Sequence, residues 1–112
     1  SAPFHCSLMK PAEEKMKQEL ESIALSSLNL PYIANVDEII YNNSEKVKQN
    51  LIDQICSSVL WYPSMKVLIE KGVTHFYEIG PQQVLTSLMK RINRDVYSKS
   101  ISTVDDLKNL TF

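Results

Sequence analysis

Lys71-Gly72-Val73-Thr74-His75-Phe76-Tyr77-Glu78-Ile79-Gly80-Pro81 is the stretch on which the reading of the fold turns. A basic residue followed by glycine marks a helix end: the cation suits the carbonyl pole and the glycine accepts the left-handed cap. Thr74 to Ile79 then supplies strand formers, and Gly80-Pro81 closes the run. A helix stop with a strand directly behind it makes an αβ unit. Upstream, Trp61, Met65, Leu68 and Ile69 predict a helix that begins near Pro63 and ends at this stop. Downstream, Gln82 to Ile92 places Val84, Leu85, Leu88, Met89 and Ile92 on one helical face, with Lys90, Arg91 and Arg94 near its end. Thr103-Val104-Asp105-Asp106 has the form of a capping box with Asp in place of Glu, opening a short last helix through Leu107 and Leu110.

Working back toward the start, Ala12, Met16, Leu20 and Ala24 recur every fourth residue behind Pro11, which predicts an amphipathic helix over 8–25. Pro31-Tyr32-Ile33-Ala34-Asn35-Val36 reads as one buried strand. Asn42-Asn43-Ser44 reads as a turn with Ser44 as N-cap, and Val47, Leu51, Ile52 and Ile55 line a helix over 45–56. The order helix, strand, helix, helix, strand, helix is that of an α/β chain. A strand-crossover-strand connection of this length favours parallel pairing of 31–36 with 74–79. Parallel strands are buried on both faces, so two alone do not complete a sheet, and the pattern reads as a fragment whose remaining strands come from other chain.

At 112 residues, with 44% hydrophobic and 22% charged, the chain is one domain or part of one. Twelve basic and thirteen acidic side chains give a net charge of -1 and exclude the basic surface that nucleic acid requires. The longest apolar runs fall far short of the roughly 20 residues that span a bilayer. Ser1-Ala2-Pro3-Phe4-His5-Cys6 has neither the basic region nor the apolar run of a secretion signal, so the sequence reads as starting inside something longer or after a cut. Two cysteines, Cys6 and Cys56, predict free thiols in a reducing, cytoplasmic setting and no structural disulfide. Neither they nor His5 and His75 have metal-ligand spacing, so no metal is expected. Only two glycines are present, Gly72 and Gly80, which excludes a Walker loop, a GxGxxG loop or a GxSxG nucleophile elbow within these residues.

His5 lies just before the first helix in a segment expected to be extended, where α/β enzymes place catalytic groups; the bland alternative is a solvated loop histidine. Cys6, its neighbour, should point the other way in an extended segment and is disfavoured as a nucleophile. His75 reads as a surface or packing residue. Gln54, on the helical face of Leu51, reads by itself as a local cap or a solvent contact. Gly80-Pro81 precedes a helix N-terminus, which can bind anions, but a plain strand-to-helix connection accounts for it.

Six segments taken in order resemble one family. Pro3-Phe4-His5-Cys6-Ser7-Leu8-Met9-Lys10-Pro11-Ala12, Pro31-Tyr32-Ile33-Ala34-Asn35-Val36, Leu51-Ile52-Asp53-Gln54-Ile55, Val59-Leu60-Trp61, Gly72 through Pro81 and Val84-Leu85-Thr86-Ser87-Leu88-Met89-Lys90-Arg91-Ile92 are similar to the C-terminal third of the malonyl-CoA:acyl carrier protein transacylases of type II fatty acid synthesis. The resemblance implies the C-terminal part of an α/β-hydrolase-like large subdomain, with residues 1–112 as that segment. It implies a ping-pong malonyl transfer from malonyl-CoA to the phosphopantetheine thiol of acyl carrier protein, through a serine outside this chain and without a cofactor. It carries the family's catalytic histidine onto His5 and the main-chain carbonyl that orients it onto Gln54, 49 residues away. The elbow serine, the arginine for the malonyl carboxylate, the oxyanion-hole glutamine and a small ferredoxin-like subdomain would belong to the remainder of the enzyme, so the fragment alone should be inactive. Two departures, Gln82 after Gly80-Pro81 and Ser58 before Val59, touch loops. The alternatives are an acyltransferase segment of a polyketide synthase, which the Lys90-Arg91-Ile92 ending resembles less, and a non-enzymatic α/β interaction module.

Overall fold

A computed structural model describes residues 3–110, and these form two compact units that divide between Ser64 and Met65. The division falls inside a helix.

The first unit opens with a turn at Phe4 and His5 and a 3-10 turn at Ser7–Met9, then enters α1, Lys10–Glu21, with Pro11 in its first turn. α1 stops short of the expected residue 25. Of its apolar stripe only Leu20 is buried, and Met16 stays 40% exposed. The strand expected over 31–36 contracts to β1, Tyr32–Ile33, which pairs antiparallel with β2, Ile40–Tyr41, in the register Tyr32 to Tyr41 and Ile33 to Ile40. The two tyrosine rings stack across this ladder with centroids 5.4 Å apart. The helix expected over 45–56 shortens to α2, Val47–Asp53. Its N-cap is Lys46 rather than Ser44, whose contribution is a main-chain carbonyl that accepts the Val47 N–H. α1 and α2 pack on each other.

α3, Trp61–Glu70, starts two residues before Pro63 and runs across the boundary. It ends where the basic-glycine pair directs: Gly72 takes φ +88°, a left-handed conformation that glycine adopts without a Cβ clash. β3, His75–Ile79, follows. α4, Val84–Ile92, then leads to β4, Tyr97–Ile101, which runs parallel to β3 in register from His75 opposite Tyr97 to Ile79 opposite Ile101. The parallel pair is therefore β3 with β4, not the expected 31–36 with 74–79, because each strand finds its hydrogen-bond partner within its own unit. Parallel strands joined through a flanking helix are the architecture foreseen, although β4 itself was not. α4 packs on both strands, and among the described residues Met65, Met89 and Ile101 are the buried apolar ones of this unit.

α4 has no side-chain cap from its own N-cap residue, Gln83. Glu78 on β3 takes over: its Oε1 accepts the Leu85 N–H at 3.1 Å and its Oε2 the Thr86 N–H at 2.8 Å. Burial pushes the Glu78 carboxyl up, but the amides of Thr86, Leu85 and Val84 and the Thr86 hydroxyl outweigh it and hold the group below its ordinary range. α5, Val104–Lys108, carries the expected capping box, with Thr103 and Asp106 bonded reciprocally.

Candidate active site

The first unit places His5 against the end of α2. A helix leaves its last carbonyls without intrahelical partners, and those of Gln54 and Ile55 come just after Asp53, the last residue of α2. Both are used by one residue. The His5 N–H donates to the Ile55 carbonyl at 3.1 Å, and His5 Nδ1 lies 2.8 Å from the Gln54 carbonyl oxygen.

Two features of this arrangement bear on chemistry. The expected extended segment is instead a tight turn in which His5 takes φ +63°, a conformation adopted by only a few per cent of non-glycine residues and costing about 1–3 kcal/mol. The turn brings the amide and the ring of one residue toward neighbouring carbonyls. A carbonyl oxygen can only accept, so Nδ1 carries the ring proton and Nε2 keeps its lone pair. His5 is exposed, and the helix-end carbonyls place partial negative charge beside its ring. A neutral imidazole that carries its proton on Nδ1 has Nε2 available to take a proton from a hydroxyl.

The neighbouring thiols are occupied. Cys6 donates to the Pro3 carbonyl at 3.1 Å. Cys56 is pushed up first by its hydrogen bond to Glu13 and then by burial, while Glu13 is held low by that same thiol and by Lys10, with which it pairs. Both cysteines are free of disulfides. His75 belongs to the second unit: its ring packs at 5.2 Å from that of Tyr97, and its Nδ1 is 2.9 Å from the Thr74 hydroxyl. Among the described residues no group of three or more His, Cys, Asp or Glu gathers to hold a metal ion, and no helix is long and apolar enough to cross a membrane.

Sequence reasoning pointed to His5 and Gln54 but missed Ile55, whose role is a main-chain carbonyl and leaves no trace in residue identity. It also missed Asn50, a polar residue only 6% exposed in α2. The available signal was an amide side chain at the same helical face as Val47, Leu51 and Gln54.

Comparison with known proteins gives a consistent result. No family profile matches the chain. The malonyl CoA-acyl carrier protein transacylase of Staphylococcus aureus (strain MSSA476) is 41% identical over 108 residues, covering 96% of this chain and 35% of that protein. The crystal structure of the malonyl-CoA:ACP transacylase of Synechocystis sp. PCC 6803 superimposes with a TM-score of 0.91 at 36% identity, over 98% of this chain and 38% of the other. A type II PKS acyl-carrier protein in complex with its malonyl-transacylase (PlMCAT:AntF, holo) contains a chain that matches with a TM-score of 0.88 at 35% identity, over 96% of this chain and 35% of that one. The chain thus spans about a third of the length of the curated relatives it matches.

Proposed function

The chain belongs to the malonyl-CoA:acyl carrier protein transacylase family, and from that premise we propose that it carries the general base of a malonyl transfer from malonyl-CoA to acyl carrier protein in fatty acid synthesis. The observation that supports this most directly is the His5 Nδ1 contact with the Gln54 carbonyl at 2.8 Å, which leaves Nε2 as the basic nitrogen. In the proposed cycle Nε2 takes the proton of a serine hydroxyl supplied by the remainder of the enzyme as that oxygen attacks the malonyl thioester. The protonated imidazole then gives the proton to the departing coenzyme A thiolate. The second half runs in reverse: His5 removes the proton of the carrier's phosphopantetheine thiol, and returns it to the serine oxygen when the malonyl-serine ester breaks.

A carbonyl in the third position holds the tautomer without a full negative charge, so the imidazolium is stabilised less than it would be by a carboxylate. In this reading residues 1–112 are the C-terminal segment of the large subdomain, acting in the cytoplasm beside its companion residues, with no part for nucleic acid or membrane. The near balance of twelve basic and thirteen acidic residues supports the exclusion of nucleic acid. The test is malonyl transfer to holo acyl carrier protein by the complete enzyme that contains this segment. His5→Ala is expected to lower the rate by about 10²–10⁴-fold. A near-normal rate would overturn the reading.

A further inference from the structure

We propose that Asn50 and Tyr32 are positioning residues for His5, their hydrogen bond setting the last turn of α2 and with it the two carbonyls that hold the imidazole. Only the functional consequence rests on His5 being the base; the positioning itself rests on geometry. The Asn50 amide Nδ2 donates to the Tyr32 hydroxyl at 2.9 Å, tying α2 to β1. Two residues of the same turn then pass the constraint along: the Asn50 main-chain carbonyl accepts the Gln54 N–H at 3.1 Å, and the Gln54 carbonyl accepts His5 Nδ1–H at 2.8 Å.

Tyr32 is itself fixed. Its ring stacks on Tyr41, and the Tyr41 hydroxyl donates to Asp37 Oδ2 at 2.8 Å. That hydrogen bond, and then burial, push the Tyr41 phenol up, while the Asn50 amide pulls the other way.

Apolar packing covers this turn only in part: Val47, Ile52 and Ile55 are half-buried. α2 has seven residues, too few to be stable as an isolated helix, and Leu51 is 37% exposed. An open cavity of about 190 Å³ lies between β1 and α2, bordered by Tyr32, Asn35, Asn50, Leu51 and Gln54, so the turn has room to shift once its polar tie is cut. Asn50 is nevertheless only 6% exposed. A buried amide is retained at the cost of its desolvation, and here its hydrogen bond joins the two elements beside the His5 anchor.

The test reads the imidazole directly, by ¹⁵N NMR of the complete, histidine-labelled enzyme that contains this segment. The native chain should show His5 in the Nδ1–H form. Asn50→Leu keeps the volume and removes the amide, and should shift His5 several-fold toward the Nε2–H form that dominates in free histidine side chains. Tyr32→Phe removes a single oxygen and should shift it in the same direction; it carries the test if Asn50→Leu fails to fold. The double variant should match Asn50→Leu alone, since both changes break one bond. An unchanged His5 tautomer in folded Tyr32→Phe, or effects of the two changes that simply add, would overturn the proposal. Loss of the base reading is distinguishable: His5→Ala would then leave malonyl transfer intact while the tautomer shift in Asn50→Leu persists.

Discussion

Residues up to Ser64 and residues from Met65 are organised by different interactions. Among the described residues, those buried in the first unit are Leu20, Asn50 and Ser64, two of them polar; those buried in the second are Met65, Met89, Ile101 and Thr86, three of them apolar. The first unit holds its shape through directed contacts: Asn50 on Tyr32, Tyr41 on Asp37 and His5 on two carbonyls. The second holds a strand-helix-strand around Met89, which is 2% exposed. Hydrophobic burial stabilises without regard to direction, whereas hydrogen bonds fix angles. A site that depends on which ring nitrogen carries a proton therefore sits in the unit built from directed bonds.

The largest effect that would sharpen this contrast comes from Met89→Ala. Truncating a fully enclosed side chain removes its transfer free energy and leaves a cavity, which together cost about 2–5 kcal/mol. Urea denaturation with residue-resolved amide exchange should show the loss concentrated in 65–110, with the His5 to Gln54 contact retained. A cost below about 1 kcal/mol, ordinary for a surface change, would break the description of the second unit as core-driven.

The second effect is a difference in pH response. Three groups raised above their ordinary values, Lys10, Tyr41 and Cys56, all belong to the first unit. In each the folded state holds its proton more tightly than the unfolded state. The stabilisation is present below the unfolded value and is lost as pH rises past it toward the folded one. For Cys56 that window opens at about pH 9, and for Tyr41 at about pH 10. The lowered carboxyls Glu78 and Asp106 lie in the second unit and Glu13 in the first. Their contribution is present above the unfolded carboxyl values and disappears as pH falls through the lower folded ones. An alkaline scan should therefore loosen amides of the first unit before those of the second, while an acid scan weakens both. Equal alkaline loss in both units would count against the assignment.

The same contrast explains what the residues disclosed in advance. In the second unit the local code and the tertiary answer agree: Lys71-Gly72 ends α3, the β-branched and aromatic run after it becomes β3, and Thr103 with Asp106 caps α5. β4 escaped because Tyr97-Ser98-Lys99-Ser100-Ile101 interleaves short polar residues with one cation. Its strand character comes from pairing with β3, which no local window contains. Glu78 as the cap of α4 escaped for a related reason, since it reaches across a turn to amides seven and eight residues on. In the first unit the expected elements were too long at both β1 and α2, because periodicity reports where apolar residues fall and not where side-chain bonds end an element. His5 and Gln54 became legible as a pair only through the family resemblance; 49 residues of intervening chain hide a contact between a ring and a main-chain oxygen.

The smallest effect probes a place in the second unit that follows the rules of the first. α5 has five residues, and its apolar side chains remain largely in water, Val104 68% and Leu107 57% exposed, so burial contributes little to it. What holds it is the box. The Thr103 hydroxyl accepts the Asp106 N–H at 3.1 Å, while Asp106 Oδ2 accepts the Thr103 N–H at 2.8 Å, the Ser102 N–H at 3.0 Å and the Thr103 hydroxyl at 2.9 Å. The Thr103 hydroxyl is the first cause of the lowered Asp106 carboxyl, ahead of the Ser102 and Thr103 amides. Thr103→Ala removes that hydroxyl and leaves the main-chain donors in place, so it should cost about 1 kcal/mol, the usual loss for an N-cap side chain. Amide protection should fall over 104–108 and stay unchanged in β3 and α4, and the Asp106 titration followed by NMR should move up toward the ordinary carboxyl range. Unaltered protection across α5 would mean that packing on β4 holds this helix after all, and that the second unit is organised by its core throughout.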